Sequence, residues 1–495
     1  MKTNRMIVLV VALGTTLNLL AETATRIRPI TLDEAITLAR VQSVNAAVAL
    51  NELKTAYWEY RTFKADLLPE VNLSATLPSY AKSYNSYQQS DGSYTFVRNN
   101  FMQMSGELSI DQNIWLTGGT LSLNTSLDFM KQMDGMKDER YMSVPIALTL
   151  NQPIFGVNTF KWNRRIEPVR YAEAKANFLS ETEEVTITTI NYFFSLLLAK
   201  ENVGIAKQNL ENAEKLYEVA KAKRRMGQIS ENDVLQLKLN VLNAQSSLTN
   251  YESSLKSNMF QLRSFLALGE NEELEPILPE TLPSILVDYQ DALDKALANN
   301  AFAHNIRRRQ LEANYEVAKA RGNLRQISLF AQVGFTGTGQ KLQGAYDPLK
   351  DNQIVEVGFK IPLLDWGKRR GQVKVAKSNR EVIQSRLQKE TMDFNQNLFI
   401  LVEQFNNQRA QLDIANEADQ IAQRRYKTNV ETFMIGRIST LDLNDAQVSK
   451  DEARQKHISE LFYYWSYYYQ LRSLTLWDFE KNTNIDADFE AIIKK

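Results

Sequence analysis

The chain has 495 residues, with 58 Lys+Arg against 58 Asp+Glu, two His and no Cys. The even charge balance lacks the basic excess of a nucleic-acid binder, so no nucleic-acid partner is expected. Without Cys there is no disulfide, thiolate metal site, cysteine nucleophile or N-terminal lipid on cysteine. His304 and His457 stand far apart and read as isolated packing or surface residues, so no metal site is expected.

The N-terminus reads as an export signal. Lys2 and Arg5 precede an apolar stretch at 6–20, and Ala21 and Ala24 are small residues suited to cleavage. The signal peptide is placed at 1–21, with the cut falling as late as 24. At about 15 residues the apolar stretch is short for a membrane span, and no later run reaches about 18 uncharged apolar residues. A membrane-embedded part is therefore expected to be a closed β-barrel, the other structure that satisfies its own backbone in lipid.

A helical pattern covers 32–66 and stops before Pro69. Val71-Asn72-Leu73-Ser74-Ala75 and Ile146-Ala147-Leu148-Thr149-Leu150 alternate as strands with one apolar face do. Between them, 104–115 and 120–130 read as two more strands joined at Gly118-Gly119. The segments 79–100 and 337–352 are polar and read as outer loops. A long helix is predicted over 160–226, with Pro168 tolerated in its first turns. Gly227 breaks it, and Ser230 caps a return helix to about residue 268.

The same order recurs. Gln152-Pro153-Ile154-Phe155, Met226-Gly227-Gln228-Ile229-Ser230 and Gln261-Leu262-Arg263-Ser264 match Ile361-Pro362-Leu363-Leu364, Ile435-Gly436-Arg437-Ile438-Ser439 and Gln470-Leu471-Arg472-Ser473 at one offset of about 209 residues. Earlier segments align at about 257, so the first half carries an insertion of about 48 residues. The expected organisation is a first repeat at 22–268 with an inserted hairpin at about 101–131, a second repeat at 269–476, and a polar tail at 477–495. Each long helix would measure about 100 Å at about 1.5 Å per residue. Leu210, Ala213, Tyr217 and Ala220, and again Ala415, Ala418, Ala422 and Tyr426, form coiled-coil seams. Strands of about 9–11 residues suit a tilted crossing of a bilayer. One chain supplies too few to close a barrel, so other copies must pair its edges.

With this repeat, the two strand insertions, Pro153 and Pro362 at the strand-to-helix switches and the paired glycine tips, the sequence resembles the TolC/OprM-like outer-membrane efflux family. The resemblance implies a mainly α fold with a membrane β-barrel portion. Three chains would form a twelve-strand outer-membrane β-barrel continued by a twelve-helix periplasmic α-barrel, four strands per chain. It implies a passive conduit from periplasm to exterior, without enzymatic activity or cofactor, in a tripartite efflux pump or type I secretion system. Implied partners are a homotrimer, a periplasmic membrane-fusion adaptor, an inner-membrane pump and outer-membrane lipid. A periplasmic coiled-coil interaction protein that never spans the membrane is the alternative. Nothing supports an enzyme: there is no paired nucleophile and base, metal cluster or phosphate loop.

By the same resemblance Met226, Gly227, Gln228, Ile229 and Ser230, with Ile435, Gly436, Arg437, Ile438 and Ser439, are adaptor-docking tips. Asp442 and Asp445 line an aperture, where rings of three carboxylates would favour cations and raise each other's pKa. Negative charge near a helix N-terminus is favourable in any case, so solvated surface aspartates are the alternative to the ring, which is the favoured reading. Asp233 stands at the partner position on the first tip. Two positions depart from the family: Phe433 and Ile438 replace the Tyr and Arg that lock the closed tip in its best-known members. Arg437 is a candidate substitute. The inserted strands either stand outside the barrel as an extra hairpin, the favoured reading, or join it and give six strands per chain. The aromatic run from Tyr463 to Tyr469 is expected to pack between helices.

Overall fold

The computed structural model describes residues 26–133, 138–269, 272–279, 283, 285–324, 326–360, 364–435 and 437–494. The expected signal peptide, Pro362 and Gly436 lie outside them. The chain forms two compact units, and each draws on both halves of the sequence. One comprises the chain up to Leu53, Lys175–Asn300 and Phe394–Lys495; the other comprises Lys54–Ala174 and Ala301–Asp393.

In chain order, β1 (Arg26–Ile30) leads into α1 (Leu32–Gln42) and α2 (Val44–Ala65). Four strands follow: β2 (Glu70–Gln88), β3 (Tyr94–Ile114), β4 (Gly119–Gln132) and β5 (Glu139–Pro153). Then come α3 (Thr159–Arg225) and α4 (Glu231–Phe265). The second half runs β6 (Glu272–Pro276), α5 (Tyr289–Asn299), α6 (Ala301–Gly322), β7 (Gln326–Gly339), β8 (Lys350–Lys360), α7 (Lys368–Met434) and α8 (Thr440–Thr475). The tail holds β9 (Trp477–Asp478), β10 (Thr483–Asn484) and α9 (Phe489–Lys494).

Element lengths match between halves: α1 and α5 have 11 residues each, α2 and α6 have 22, and α3 and α7 have 67. The single helix expected over 32–66 is in fact two. Ser43 takes an extended conformation with ψ 148, and its hydroxyl accepts the Ala46 N–H at 3.2 Å, so one helix ends and the next is capped at one residue. Asn300 makes the same break between α5 and α6, with ψ also 148.

The core of the first unit has three clusters. Phe193, Leu196 and Leu197 of α3 pack with Ile30, Ala35 and Leu262. Leu398, Val402 and Phe405 of α7 pack with Tyr464, Tyr468 and Leu471 of α8, so the aromatic run does pack between helices. Burial of each large side chain of this kind contributes roughly 1.5–3 kcal/mol. The tail is tied to the same unit through Asp478, which bonds Arg472 and accepts the Tyr468 hydroxyl at 3.0 Å. Arg472 also meets Glu183, which is 1% exposed and bonds Arg40 at 2.7 Å, so this buried carboxylate is fully paired.

The second unit holds one six-stranded sheet in the order β2-β3-β4-β5-β7-β8, antiparallel throughout. This corrects two expectations. The inserted strands β3 and β4 do not stand apart; they are hydrogen-bonded between β2 and β5. A chain therefore supplies six sheet strands, not four. The strands are also longer than expected, at 19 and 21 residues for β2 and β3. The segment 79–100, read as a loop, is strand except for a turn about Gly92. Tyr80, Tyr84, Tyr94 and Phe96 explain this, because these exposed aromatics share one face of the two paired strands, and aromatic residues favour extended backbone.

Residues facing each other across a ladder share a sheet face. One face carries an apolar band through every strand: Leu73, Leu108, Leu123, Leu148, Val333 and Val355 or their near neighbours. The other face is polar across β2, β3 and β4. Asp111 accepts Asn72 at 3.2 Å and Ser109 at 2.8 Å. Asn124 donates to Glu107 at 3.5 Å and accepts Thr149 at 3.5 Å. Among the described residues no helix is long and apolar enough to cross a membrane.

Candidate functional site

The turns after α3 and α7 lie in the first unit and hold most of the residues that the sequence singled out. The last turn of α3 carries Lys223, Arg224 and Arg225, cations placed at the negative end of a helix. Gly227 then adopts φ +76. Its N–H donates to Arg224 O at 3.0 Å, and the next N–H, of Gln228, reaches back to Lys223 O at 2.9 Å. This is a helix stop that needs a left-handed residue, which is why glycine stands there. A Cβ at Gly227 would meet nothing within 4 Å. At the second tip the Arg437 N–H donates to Thr432 O at 3.1 Å, the same reach.

Both return helices start with a reciprocal cap. The Ser230 hydroxyl accepts the Asp233 N–H at 3.1 Å, and the Ser230 N–H donates to the Asp233 carboxylate at 3.1 Å. Ser439 and Asp442 repeat the arrangement at 3.2 Å each way. Each pairing satisfies two helix-end donors that would otherwise have no partner. The serine hydroxyl and N–H hold the carboxyls of both Asp233 and Asp442 below the usual aspartate value, with Arg425 adding to the effect at Asp442. That direction is opposite to the increase expected from a ring of like charges; the single chain contains the cap and not the ring.

Asp445 shares a helix face with Asp442 but has a different partner. Arg425 of α7 reaches it at 2.5 Å and also lies 3.5 Å from the Ser449 hydroxyl. Asn429 donates to Asp442 O at 3.3 Å. The positive group beside the second-tip acids is therefore Arg425, while Arg437 is exposed. Sequence reading missed Arg425, although its place on α7 twenty residues before Asp445 across a helical hairpin could have signalled it.

The two departures from the family lock fall together. Phe433 and Ile438 pack with Ile229, Val234 and Val430 against a buried set of Leu216, Ala220, Leu237, Tyr426, Leu443 and Ala446. Lys223 of the first tip lies over the Phe433 ring at 5.6 Å and 3.5 Å from Met434 O. Residues that would be polar in a locking role here join the two tips through apolar contact. Met226 and Ile435, by contrast, are more than 60% exposed.

Pro153 ends β5, and the switch into α3 is completed by Asn158, whose Oδ1 accepts the Lys161 N–H at 2.9 Å. The same side chain donates to Trp115 O and Leu116 O at 2.9 and 3.0 Å, which fixes the β3–β4 turn to the start of α3. Among the described residues no group of acidic or histidine side chains is placed to hold a metal.

The sequence matches no curated relative. Among solved structures the fold is similar to the CmeC outer membrane channel of Campylobacter jejuni, with 17% identity, a TM-score of 0.66 and coverage of 94% of this chain and 88% of that one. VceC from Vibrio cholerae is similar at 15% identity and a TM-score of 0.63, covering 92% of this chain and 97% of that one. OprN, described as an outer-membrane channel, is similar at 14% identity and a TM-score of 0.64, covering 90% and 89%. A family profile described as outer membrane efflux protein matches residues 35–268 and 292–461. The chain belongs to the outer membrane efflux protein family.

Proposed function

We propose that this chain, an outer-membrane efflux channel by family, is a passive conduit in a tripartite efflux pump or type I secretion system. Three copies join sheet edges β2 and β8 into a barrel, while the long helices form a periplasmic tunnel. The tips dock a periplasmic adaptor that links to an inner-membrane pump. The two repeats, 22–268 and 269–476, supply equivalent parts of that tunnel. The observation that carries this reading is the family match across both halves, on a chain with an unbroken apolar band over an open sheet. Strand edges left without partners call for pairing with another chain. Leu235, Leu239 and Leu242 of α4 and Ile414 and Ile421 of α7 are also largely exposed, as interfaces between helices of neighbouring copies require.

At the tips, Gly227 and Gly436 are read as points of close approach by the adaptor, and Asp442, Asp445 and Asp233 as aperture residues. The test is to express the chain with its signal and examine outer-membrane fractions for a trimer that migrates compactly until heated, then record its conductance in planar bilayers. A periplasmic, detergent-free monomer would refute the reading.

A further inference from the structure

We propose that the inserted strands β3 and β4 are membrane wall, touching lipid hydrocarbon on one face and the channel lumen on the other, so that three copies close an eighteen-strand barrel. The inference rests on the outer-membrane channel reading and goes beyond it, because the twelve-strand expectation leaves this pair out.

Three observations carry it. First, the pair crosses the sheet at full height. Residues 101–114 of β3 are laddered to β4, and β4 from Thr120 to Lys131 is laddered to β5. Second, the pair keeps the alternation of its neighbours. Met104, Leu108 and Ile110 of β3 and Leu121, Leu123 and Leu127 of β4 lie on the apolar face, in register with Val71 and Leu73 of β2 on one side and Leu148 and Leu150 of β5 on the other. Leu108 and Leu123 are about 40% exposed, so no described part of the chain buries that face. Alternation of apolar and polar residues around a closed sheet is the pattern that lipid outside and water inside impose. The reverse face of the same pair bears Ser105, Glu107, Ser109 and Asp111, then Ser122, Asn124, Ser126 and Asp128. Charges of this kind are tolerated facing a lumen and costly facing acyl chains.

Third, the turn of the pair is fixed at the end where the sheet meets helix. Gln112 donates to Leu67 O at 3.0 Å and Asn113 to Asp66 O at 3.0 Å. Asn158 holds the backbone at Trp115 and Leu116, and the Arg164 guanidinium lies 3.7 Å from the centre of the Trp115 ring. Gly118, at φ +83, closes the turn against Asn158. A hairpin anchored there and laddered on both sides has no freedom to fold away from the wall. Since barrel diameter grows roughly linearly with strand number, the lumen would be about 1.5 times as wide as a twelve-strand one.

The absence of native Cys makes the test direct. Single variants Leu108→Cys and Leu123→Cys, with Ser105→Cys and Ser126→Cys from the reverse face, are spin-labelled as trimers in liposomes. Leu148→Cys and Val333→Cys, on strands shared by both halves, are controls. Collision with oxygen reports lipid, and collision with a water-soluble nickel chelate reports water. The expected result is lipid contact at Leu108 and Leu123 equal to that at the controls, and nickel contact at Ser105 and Ser126. Nickel contact at Leu108 and Leu123 with lipid contact at the controls overturns the inference alone. So does protection of those two from both probes, which would mean that another protein surface covers them. Nickel contact at the controls as well overturns the channel reading with it.

Discussion

The turn after α3 and the turn after α7 close with the same local chemistry and sit in different surroundings. Ser230 with Asp233 and Ser439 with Asp442 cap their helices alike, because a cap is written in four adjacent residues. What each helix meets is not. Val234 and Leu237 in the first tip correspond to Leu443 and Ala446 in the second, so the large and small residues exchange places where the helices pack. Tyr217 is partly exposed under Lys221, whereas its counterpart Tyr426 is buried and accepts Asn212 at 3.2 Å. The second tip pairs Asp445 with Arg425; the first has Gln236 and the buried Leu216 at those places. The two tips share their caps, while the residues packed around them differ.

That contrast can be broken most forcefully at the glycines. Replacing Gly227 and Gly436 together with a bulky residue should abolish export while trimer levels stay normal. A Gly227→Asn change, which tolerates the left-handed backbone, separates the turn from the docking surface. If docking needs a bare backbone, Asn should impair export as the bulky residue does; if only the turn matters, Asn should be near normal. Export assays with quantified outer-membrane trimer decide this. Next come the exchanged core positions. Leu237→Ala and Leu443→Ala each remove a side chain that is 2% or less exposed and should cost about 2–5 kcal/mol locally. Hydrogen exchange should speed up in both tips for either change, since one cluster serves both. A response confined to the mutated tip would mean that the tips are independent.

The turns, long helices and strand alternation were legible in sequence because each depends on neighbours a few residues away. Gly227, Ser230 and Pro153 announce themselves locally. The break at Ser43 was missed because an extended serine between two helical stretches carries no proline or glycine to mark it. The pairing of β3 and β4 with β2 and β5 was misjudged for another reason: register and sheet membership depend on partners far along the chain. The preference for an outside hairpin came from the family's strand number, not from the residues. Leu108, Leu121 and Leu123 already alternated with Ser109, Ser122 and Asn124. Arg425 escaped notice because its partner Asp445 lies across a turn, so the pairing shows only when the two arms of the hairpin are laid side by side.

At the proposed aperture the contrast should appear in conduction. Arg425→Ala frees Asp445 from its cation and should raise cation preference and tighten block by a trivalent cation added from the periplasmic side. Changing Asp442 and Asp445 both to Ala should remove the block, with trimer formation intact. Asp233→Ala should alter conductance less, since among the described residues no charged partner corresponding to Arg425 is paired with it. Single-channel recording checks each change. The same block in the wild type and the double alanine variant would remove these aspartates from the mouth.

The smallest expected effect is in acid, and it separates the cap from the ring. Both Asp233 and Asp442 have carboxyls depressed by their serine partners. A group with a lowered folded value stabilises the fold above its unfolded value of about 3.9 and loses that contribution as pH falls through the folded one. Both tips should therefore be indifferent to pH from neutrality to about 4 and loosen below it. Arg425 acts on Asp442 in the same direction as its cap. If three copies bring Asp442 together on one axis, repulsion works the other way and raises its value. Asp442 would then protonate at a higher pH in the assembled trimer than in the dissociated chain, while Asp233 would not move. Carboxyl carbon shifts of the two residues, followed through acid titrations of the trimer and of the dissociated chain, give the comparison. No difference at Asp442 leaves it a capping residue; an upward move at Asp442 alone puts the ring at the mouth.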